Sequence, residues 1–245
     1  MLTDELLIYL FDGKPHFLAE SMASWLSSSR RFTAFVMAFR DKIRKKLRVT
    51  KDQETLYDLR LEFETAYLLL QERTLSLEYE PEQSKQVRSP DFAVTYTTSL
   101  TFMLEVTRLR TVSKAEVSSS ENGTGLETER LAYAICSKFG QLLPQRANVL
   151  IVGVDALRLT QSDLQSIMLR IQQRAERNDS ALWTRYGFQD RAEFFRHYQR
   201  LSEVLLRGTQ LQGDESVLVW VNPQAKHPLP GKARTAFYRS HLHSV

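Results

Sequence analysis

The spacing of apolar residues predicts a chain that begins with helices. Over residues 3–50 the apolar positions follow a helical period. The clearest helix face carries them at i, i+3, i+4 and i+7: Phe32, Phe35, Val36 and Phe39. A further helix with net acidic character is predicted over residues 51–73. The first part of the chain is therefore expected to form a helical extension and the helix that leads into the core.

The middle of the chain predicts three strands, a helix and a buried strand. The three strands are expected at residues 74–80, 90–97 and 100–109. A loop rich in Ser and Gly, from Val112 to Gly125, leads to a helix over residues 126–143 that stops at Pro144. The continuous apolar run from Asn148 to Val154 is typical of a strand covered on both faces. This order predicts an α/β fold with three layers and a mixed sheet.

The last part of the chain predicts two helices and a final strand. Ser162 to Gln165 has the form of a capping box. The helical stripe that follows consists of Leu164, Ile167, Met168 and Ile171. Another helix is expected over residues 189–207, then a strand from Ser216 to Val221 and a basic tail.

A length of 245 residues suits one domain with helical additions. We expect an N-terminal helical extension packed on a core, and C-terminal helices with a final strand that complete the same domain. The expected bounds are residues 1–50, 51–160 and 161–245.

Composition is that of an ordinary soluble protein, with 42% apolar and 25% charged residues. The net charge of +4 is a mild basic bias that fits contact with a polyanion. One cysteine, Cys136, cannot build a disulfide framework, which favours a reducing cytoplasm. No apolar run approaches the roughly 18–20 residues of a membrane span, and the acidic N-terminus lacks a signal-peptide pattern. We therefore expect a cytoplasmic protein with no membrane partner.

Two carboxylates lie in the predicted strands. Asp91 is near the start of the second strand, and Glu105 is near the end of the third. Hairpin pairing of the two strands brings these positions together, and carboxylate oxygens are the ligands that Mg²⁺ prefers. A carboxylate inside an apolar strand is costly unless it is paired or bound to a metal. The alternative for Glu105 is a plain ion pair with Arg108 or Arg110 at a fraying strand end.

The chain resembles the PD-(D/E)xK nuclease superfamily, which includes restriction endonucleases and archaeal Holliday-junction resolvases. The resemblance lies in the residues Pro90-Asp91 and Glu105 and in the order helix, strand, strand, strand, helix, strand. The resemblance covers roughly residues 52–155 and implies a restriction-endonuclease-like αβββαβ core. It implies that Asp91, Glu105 and the Val106 carbonyl bind Mg²⁺ or Mn²⁺. It also implies a nucleic-acid partner, DNA more often than RNA. Many nucleases of this fold are dimers, so a homodimer is a further expectation.

One position departs from the superfamily pattern, because Thr107 stands where the motif has lysine. A threonine hydroxyl carries no positive charge. Lys138 is the candidate replacement, since the predicted helix places Ala134, Lys138 and Gln141 on one face, and superfamily members with a lysine moved to this helix exist. Gln141 is then expected to position groups in the site. The alternative is a Lys138 that turns outward to solvent.

Some superfamily members place an additional acid on the helix before the strands. Glu62 is expected to face inward, because it shares a helical stripe with the apolar residues Leu59, Ala66 and Leu69. Glu64 lies one turn from Arg60, and a solvated ion pair is expected there. We favour Glu62 and keep Glu64 as the alternative.

Two further features allow both a structural and a functional interpretation. Residues 40–48 contain six basic residues and one acid, and we favour a solvated helix face over a phosphate contact. Aromatic residues around Trp183, Tyr186 and Phe194 alternate with arginines. Such aromatics either stack on bases or belong to the core, and helical spacing favours the core.

Together these features predict a metal-dependent nuclease that hydrolyses phosphodiester bonds. Mg²⁺ lowers the pKa of a bound water, and Lys138 orients that water or stabilises the transition state. The alternative is a nuclease-like module that has lost its lysine and binds nucleic acid or a protein partner without chemistry. A third interpretation is a structural α/β protein whose acids are ion-paired.

Overall fold

A computed structural model describes residues 3–81, 89–110, 123–154, 159–208 and 217–242. Four short helices and one longer helix precede the first strand, which confirms the helical prediction for this part. Their bounds are Thr3–Phe11 (α1), Ala19–Ser28 (α2), Arg30–Ala38 (α3), Arg40–Val49 (α4) and Gln53–Leu69 (α5). Side-chain caps stabilise the N-termini of two of these helices, α3 and α5. Ser29 accepts a hydrogen bond from the Phe32 amide, and Asp52 accepts one from the Thr55 amide.

Six strands form one open, mixed sheet in the order β1-β2-β3-β4-β5-β6. Their bounds are Leu75–Tyr79 (β1), Phe92–Tyr96 (β2), Leu100–Leu109 (β3), Asn148–Val154 (β4), Leu201–Gly208 (β5) and Val217–Val221 (β6). β1, β2 and β3 pair antiparallel, β3, β4 and β5 pair parallel, and β6 returns antiparallel to β5. The predicted α/β class with a mixed sheet is confirmed, while the specific restriction-endonuclease likeness stays a prediction.

In the described part of the chain after β3, there are five helices and a short 3-10 helix. Their bounds are Gly123–Ser137 (α6), Phe139–Gln141 (3-10), Gln161–Glu176 (α7), Ser180–Tyr186 (α8), Arg191–Tyr198 (α9) and Gly231–Leu242 (α10). Among the described residues, no helix is both long enough and apolar enough to cross a membrane.

The sheet separates two apolar clusters, which gives the three layers that were predicted. Every residue of β4 is buried, and its side chains alternate between the two clusters. Val149 and Ile151 pack with residues of α1 to α5 and α10. Leu150 and Val152 pack with residues of α6 to α9. A strand that contacts a helical layer on each face must be apolar on each face, which explains its unbroken run.

The helix predicted over residues 189–207 is wrong in its second half. The helix α9 ends at Tyr198, and Leu201–Gly208 is strand β5 between β4 and β6. The residues from Leu201 to Arg207 are buried on both faces of the sheet. A short apolar run of this kind fits a buried helix or a buried strand equally well, and only its neighbours decide.

Two smaller predictions are also corrected, the bounds of one helix and the position of the capping box. The helix predicted over residues 126–143 begins at Gly123, and its α-helical part ends at Ser137. The loop predicted from Val112 to Gly125 lies mostly outside the described residues. The capping box is formed by Thr160 and Asp163, two positions before the predicted one. The Asp163 amide donates to the Thr160 hydroxyl, and the Thr160 amide donates to the Asp163 carboxylate. The basic tail contains the helix α10.

Candidate functional site

A cleft opens where β3 extends beyond β2. Phe92, the first residue of β2, pairs with Leu104, so β3 continues for five residues past that pair. This segment lines the cleft from Val106 to Arg110, between α4 and α5 on one side and α6 on the other. The cleft has a volume of about 820 Å³. Six cationic side chains line it: Lys46, Arg108, Arg110, Arg130, Lys138 and Arg185.

Asp91 lies at the start of this opening. Its Oδ2 accepts a hydrogen bond of 2.8 Å from the Val106 amide. Continuing the β2–β3 register by two positions sets Asp91 opposite Glu105 and Pro90 opposite Val106. The Val106 carbonyl points to the same side of β3 as its amide. Because Pro90 has no N–H, it cannot donate the ladder hydrogen bond to that carbonyl. The Pro-Asp pair thus leaves the Val106 carbonyl without a ladder donor on the edge of β3 where Asp91 lies.

Glu105 is buried behind Lys138. The Lys138 ammonium lies 2.7 Å from Glu105 Oε1, and the two side chains are 17% and 5% exposed. Lys138 does turn towards the sheet, as predicted, but from the position just after α6. Arg108 and Arg110 instead contact carboxylates of α5, where both reach Asp58. An ammonium group is therefore present beside the third-strand acid although position 107 is threonine.

Two predicted positions differ in their relation to the cleft. Thr107 lines it, beside Val106 and Lys138. Gln141 belongs to the 3-10 helix and is not among the described residues that line the cleft. Of the expected shared face, Ala134 and Lys138 both line the cleft, whereas Gln141 does not, because the α-helix ends at Ser137 and Gln141 belongs to the 3-10 helix.

The structure adds Lys46, which the sequence analysis did not single out. Its ammonium lies 2.7 and 2.9 Å from the two oxygens of Glu62 and 2.9 Å from Glu80 Oε1. The Tyr79 hydroxyl donates to Glu62 Oε1 at 2.5 Å. A signal was available in the sequence, since Lys46 is three residues from the apolar Ile43 and shares its side of α4.

Glu62 and Glu64 differ in their contacts and in their position relative to the cleft. Glu62 is buried, as its stripe predicts, and it lines the cleft. Glu64 is not a solvated partner of Arg60, and that prediction is wrong. Its Oε1 accepts a hydrogen bond of 2.8 Å from Arg207, whose side chain is 3% exposed on β5. The long Arg207 side chain reaches α5 because β5 lies inside the sheet.

Charge crowding and burial shift the pKa values in the cleft. Burial first, and then the charge of Asp91, raise the pKa of Glu62 to about 7. Burial also raises the pKa of Asp91, against the lowering effects of Lys46 and of the Val106 amide. Burial opposes the charge of Lys46, but Glu62, Asp91 and Glu80 together raise its pKa above the ordinary value. Lys46 is therefore a cation at all physiological pH values.

For the basic residues 40–48 and for the aromatic residues around Trp183, the structural interpretation holds, with one exception. In the basic helix α4, Arg44 and Arg48 both pair with Asp12. The exception is Lys46, which turns into the cleft. Trp183, Tyr186 and most of the aromatic residues around them are buried in the second apolar cluster. The core interpretation is confirmed for them.

Within the described ranges, no group of three or more His, Cys, Asp and Glu residues has an arrangement that holds a metal ion. Among these residues, a metal would be held by two carboxylates, a carbonyl and water, a set that Mg²⁺ accepts. No protein-family model, no curated protein and no solved structure matches this chain. The resemblance to the PD-(D/E)xK superfamily thus rests on the residues and on the order of elements, and stays a prediction.

Proposed function

We propose that the protein is a metal-dependent nuclease whose active site is the cleft beside Asp91 and Glu105. One observation carries the proposal: carboxylates and two lysines are concentrated at one end of a cleft whose other charged lining residues are four arginines and Asp58. Such an arrangement suits a divalent cation at one point and a polyanionic chain along the rest. The same proposal includes a cytoplasmic location, DNA more often than RNA as the substrate, and a homodimer.

The charges around Asp91 fit Mg²⁺ or Mn²⁺. Four carboxylates belong to this end of the cleft: Glu62 and Asp91 line it, Glu80 pairs with Lys46, and Glu105 pairs with Lys138. Two ammonium groups, Lys46 and Lys138, balance half of that charge. A net charge of about −2 remains when all six groups are ionised, and a divalent cation neutralises it. The raised pKa values of Glu62 and Asp91 are consistent with such crowding.

Each residue has a role in the proposed reaction. Bound Mg²⁺ supplies charge neutralisation and a more acidic water. Asp91, Glu105 and the Val106 carbonyl would hold it. Lys138 and Lys46 stabilise the negative charge that develops on the phosphoryl group, because both ammonium groups line the cleft. Glu62, with a pKa of about 7, has a proton affinity suited to accepting a proton from water at neutral pH.

A second candidate is favoured by Thr107 and by the closeness of Lys138 to Glu105. In this candidate the ion pair of 2.7 Å occupies the carboxylate permanently, and the cleft binds nucleic acid without cleaving it. The two candidates differ in their response to metal. A catalytic site is stabilised by Mg²⁺, whereas a non-catalytic site binds nucleic acid with a steep salt dependence and shows no metal response.

A cleavage assay tests the proposal. Labelled single-stranded DNA, duplex DNA and RNA are incubated with the purified protein in Mg²⁺, in Mn²⁺ and in EDTA. We expect metal-dependent cleavage by the wild type and none by Asp91→Asn/Glu105→Gln, which keeps the shape of both side chains. The matched control is Glu20→Gln/Glu78→Gln, which removes two exposed carboxylates outside the cleft and should cleave normally. Cleavage that persists in Asp91→Asn/Glu105→Gln excludes this site.

A further inference from the structure

The wall of the cleft formed by α6 is polar and aromatic rather than apolar. Four residues at i, i+3, i+4 and i+7 face the cleft: Arg130, Tyr133, Ala134 and Ser137. The opposite side of the helix carries the buried residues that anchor it in the second apolar cluster: Leu131, Ala132, Ile135 and Cys136. One face of α6 thus packs in the core, and the other face is available to a ligand of the cleft.

Tyr133 stands out on this wall because its side chain is large and 51% exposed. Its ring centre lies 6.1 Å from that of Tyr186, with the planes tilted by 43°, so its position is supported from one side. Arg130 lies one turn before it on the same face. Arg185 lines the cleft from α8, where its guanidinium also pairs with Glu129 Oε2 at 2.9 Å. Lys138 follows directly after the helix. An open aromatic ring and three cationic side chains therefore line the same part of the cleft.

From this arrangement we propose that the α6 wall binds single-stranded nucleic acid, with one base stacked on Tyr133 and phosphates held by Arg130 and Arg185. This inference rests on the proposed function, because it takes the ligand of the cleft to be a nucleic acid. Stacking on an aromatic side chain requires an unpaired base, and proteins that bind single strands combine such rings with a basic groove.

The dimensions agree with one strand. A volume of about 820 Å³ falls within the range of about 300–1,000 Å³ for sites that enclose small ligands. A volume of this size corresponds to a few nucleotides. From Arg130 to Ser137 the helix rises about 10 Å, which spans the same small number of nucleotides. The strand would then run from Arg130 and Tyr133 towards Lys138.

Binding measured in EDTA separates this inference from catalysis. Fluorescence anisotropy of a labelled oligothymidine, an oligouridine and a hairpin duplex gives the affinity of each form. We expect both single strands to bind at least tenfold more tightly than the duplex. Tyr133→Ala should weaken single-strand binding by about 5- to 100-fold, the usual range for one lost base stack. Tyr133→Phe keeps the ring and should bind within about twofold of the wild type, because stacking needs no hydroxyl.

Phe17→Ala is the matched control, since Phe17 is an exposed aromatic residue outside the cleft. It should bind as the wild type does, and circular dichroism verifies that each variant is folded. Equal affinity for duplex and single strand overturns the inference, as does unchanged binding by folded Tyr133→Ala. If Tyr133→Ala loses binding while no metal supports cleavage, the single-strand site stands and the nuclease proposal fails. If metal-dependent cleavage occurs but Tyr133→Ala binds single strands as the wild type does, the nuclease proposal stands and the single-strand inference fails.

Discussion

The ammonium of Lys138 lies 2.7 Å from Oε1 of Glu105 and joins the end of α6 to the middle of β3. Both side chains are largely buried, so the ion pair holds the two elements together at the end of the cleft. It also supplies the positive charge that Thr107 cannot. The same contact therefore has a structural and a chemical consequence, and the two can be measured separately.

The structural consequence is a loss of stability when the cation is removed. We expect Lys138→Met to lower the free energy of unfolding by about 3 kcal/mol, because it removes the cation that faces the buried Glu105 carboxylate. Lys138→Arg keeps the charge and should lose less. Urea denaturation of the three proteins gives the comparison. A loss below about 0.5 kcal/mol for Lys138→Met would show that the pair does not support the fold.

Metal binding should appear as thermal stabilisation. Mg²⁺ or Mn²⁺ at about 100 times its dissociation constant stabilises a protein by about 2.7 kcal/mol. We expect a corresponding rise in melting temperature for the wild type and none for Asp91→Ala/Glu105→Ala. The control Glu20→Gln/Glu78→Gln should respond as the wild type does. An equal rise in all three proteins places the metal elsewhere.

The raised pKa of Glu62 predicts a pH dependence of stability. Its ordinary value is 4.5 and burial raises it to about 7, so the folded protein holds this proton more tightly than the unfolded chain does. The free energy of unfolding should therefore fall as pH rises through that window. Relative to Glu62→Gln, the wild type should lose up to about 3 kcal/mol between the two values. A constant difference between the two proteins across this range would contradict the shift.

The ion pair between Glu64 and Arg207 predicts a large cost at a position that looks peripheral in the sequence. Glu64→Gln leaves the buried Arg207 guanidinium without a compensating charge among the described residues, and we expect a loss of about 3 kcal/mol or more. Arg40→Gln is the control, because its pair with Asp41 is exposed and such pairs contribute less than about 1 kcal/mol. Equal losses in urea denaturation would refute the distinction.

Local patterns in the sequence determined most of the elements before the C-terminal part. The helical stripe around Phe32, the strand alternation from Leu100 and the apolar run of β4 each follow from a short stretch of chain. They also determined that Glu62 faces inward, since its neighbours on the stripe are apolar. Periodicity suffices in these cases because the face of an element depends on residues within one or two turns.

Tertiary structure decided what those patterns leave ambiguous. The segment from Leu201 became a strand because β4 and β6 lie on either side of it and satisfy its backbone. Glu64 was drawn to Arg207, 143 residues away, and Lys46 to Glu62 and Glu80 across two helices and a strand. A buried charge is costly unless it is paired, but the sequence alone does not show which opposite charge will lie near it. The sequence therefore predicted Asp91, Glu105, Glu62 and Lys138 as candidates, and packing in three dimensions added Lys46 and Glu80, which no local pattern relates to Glu62.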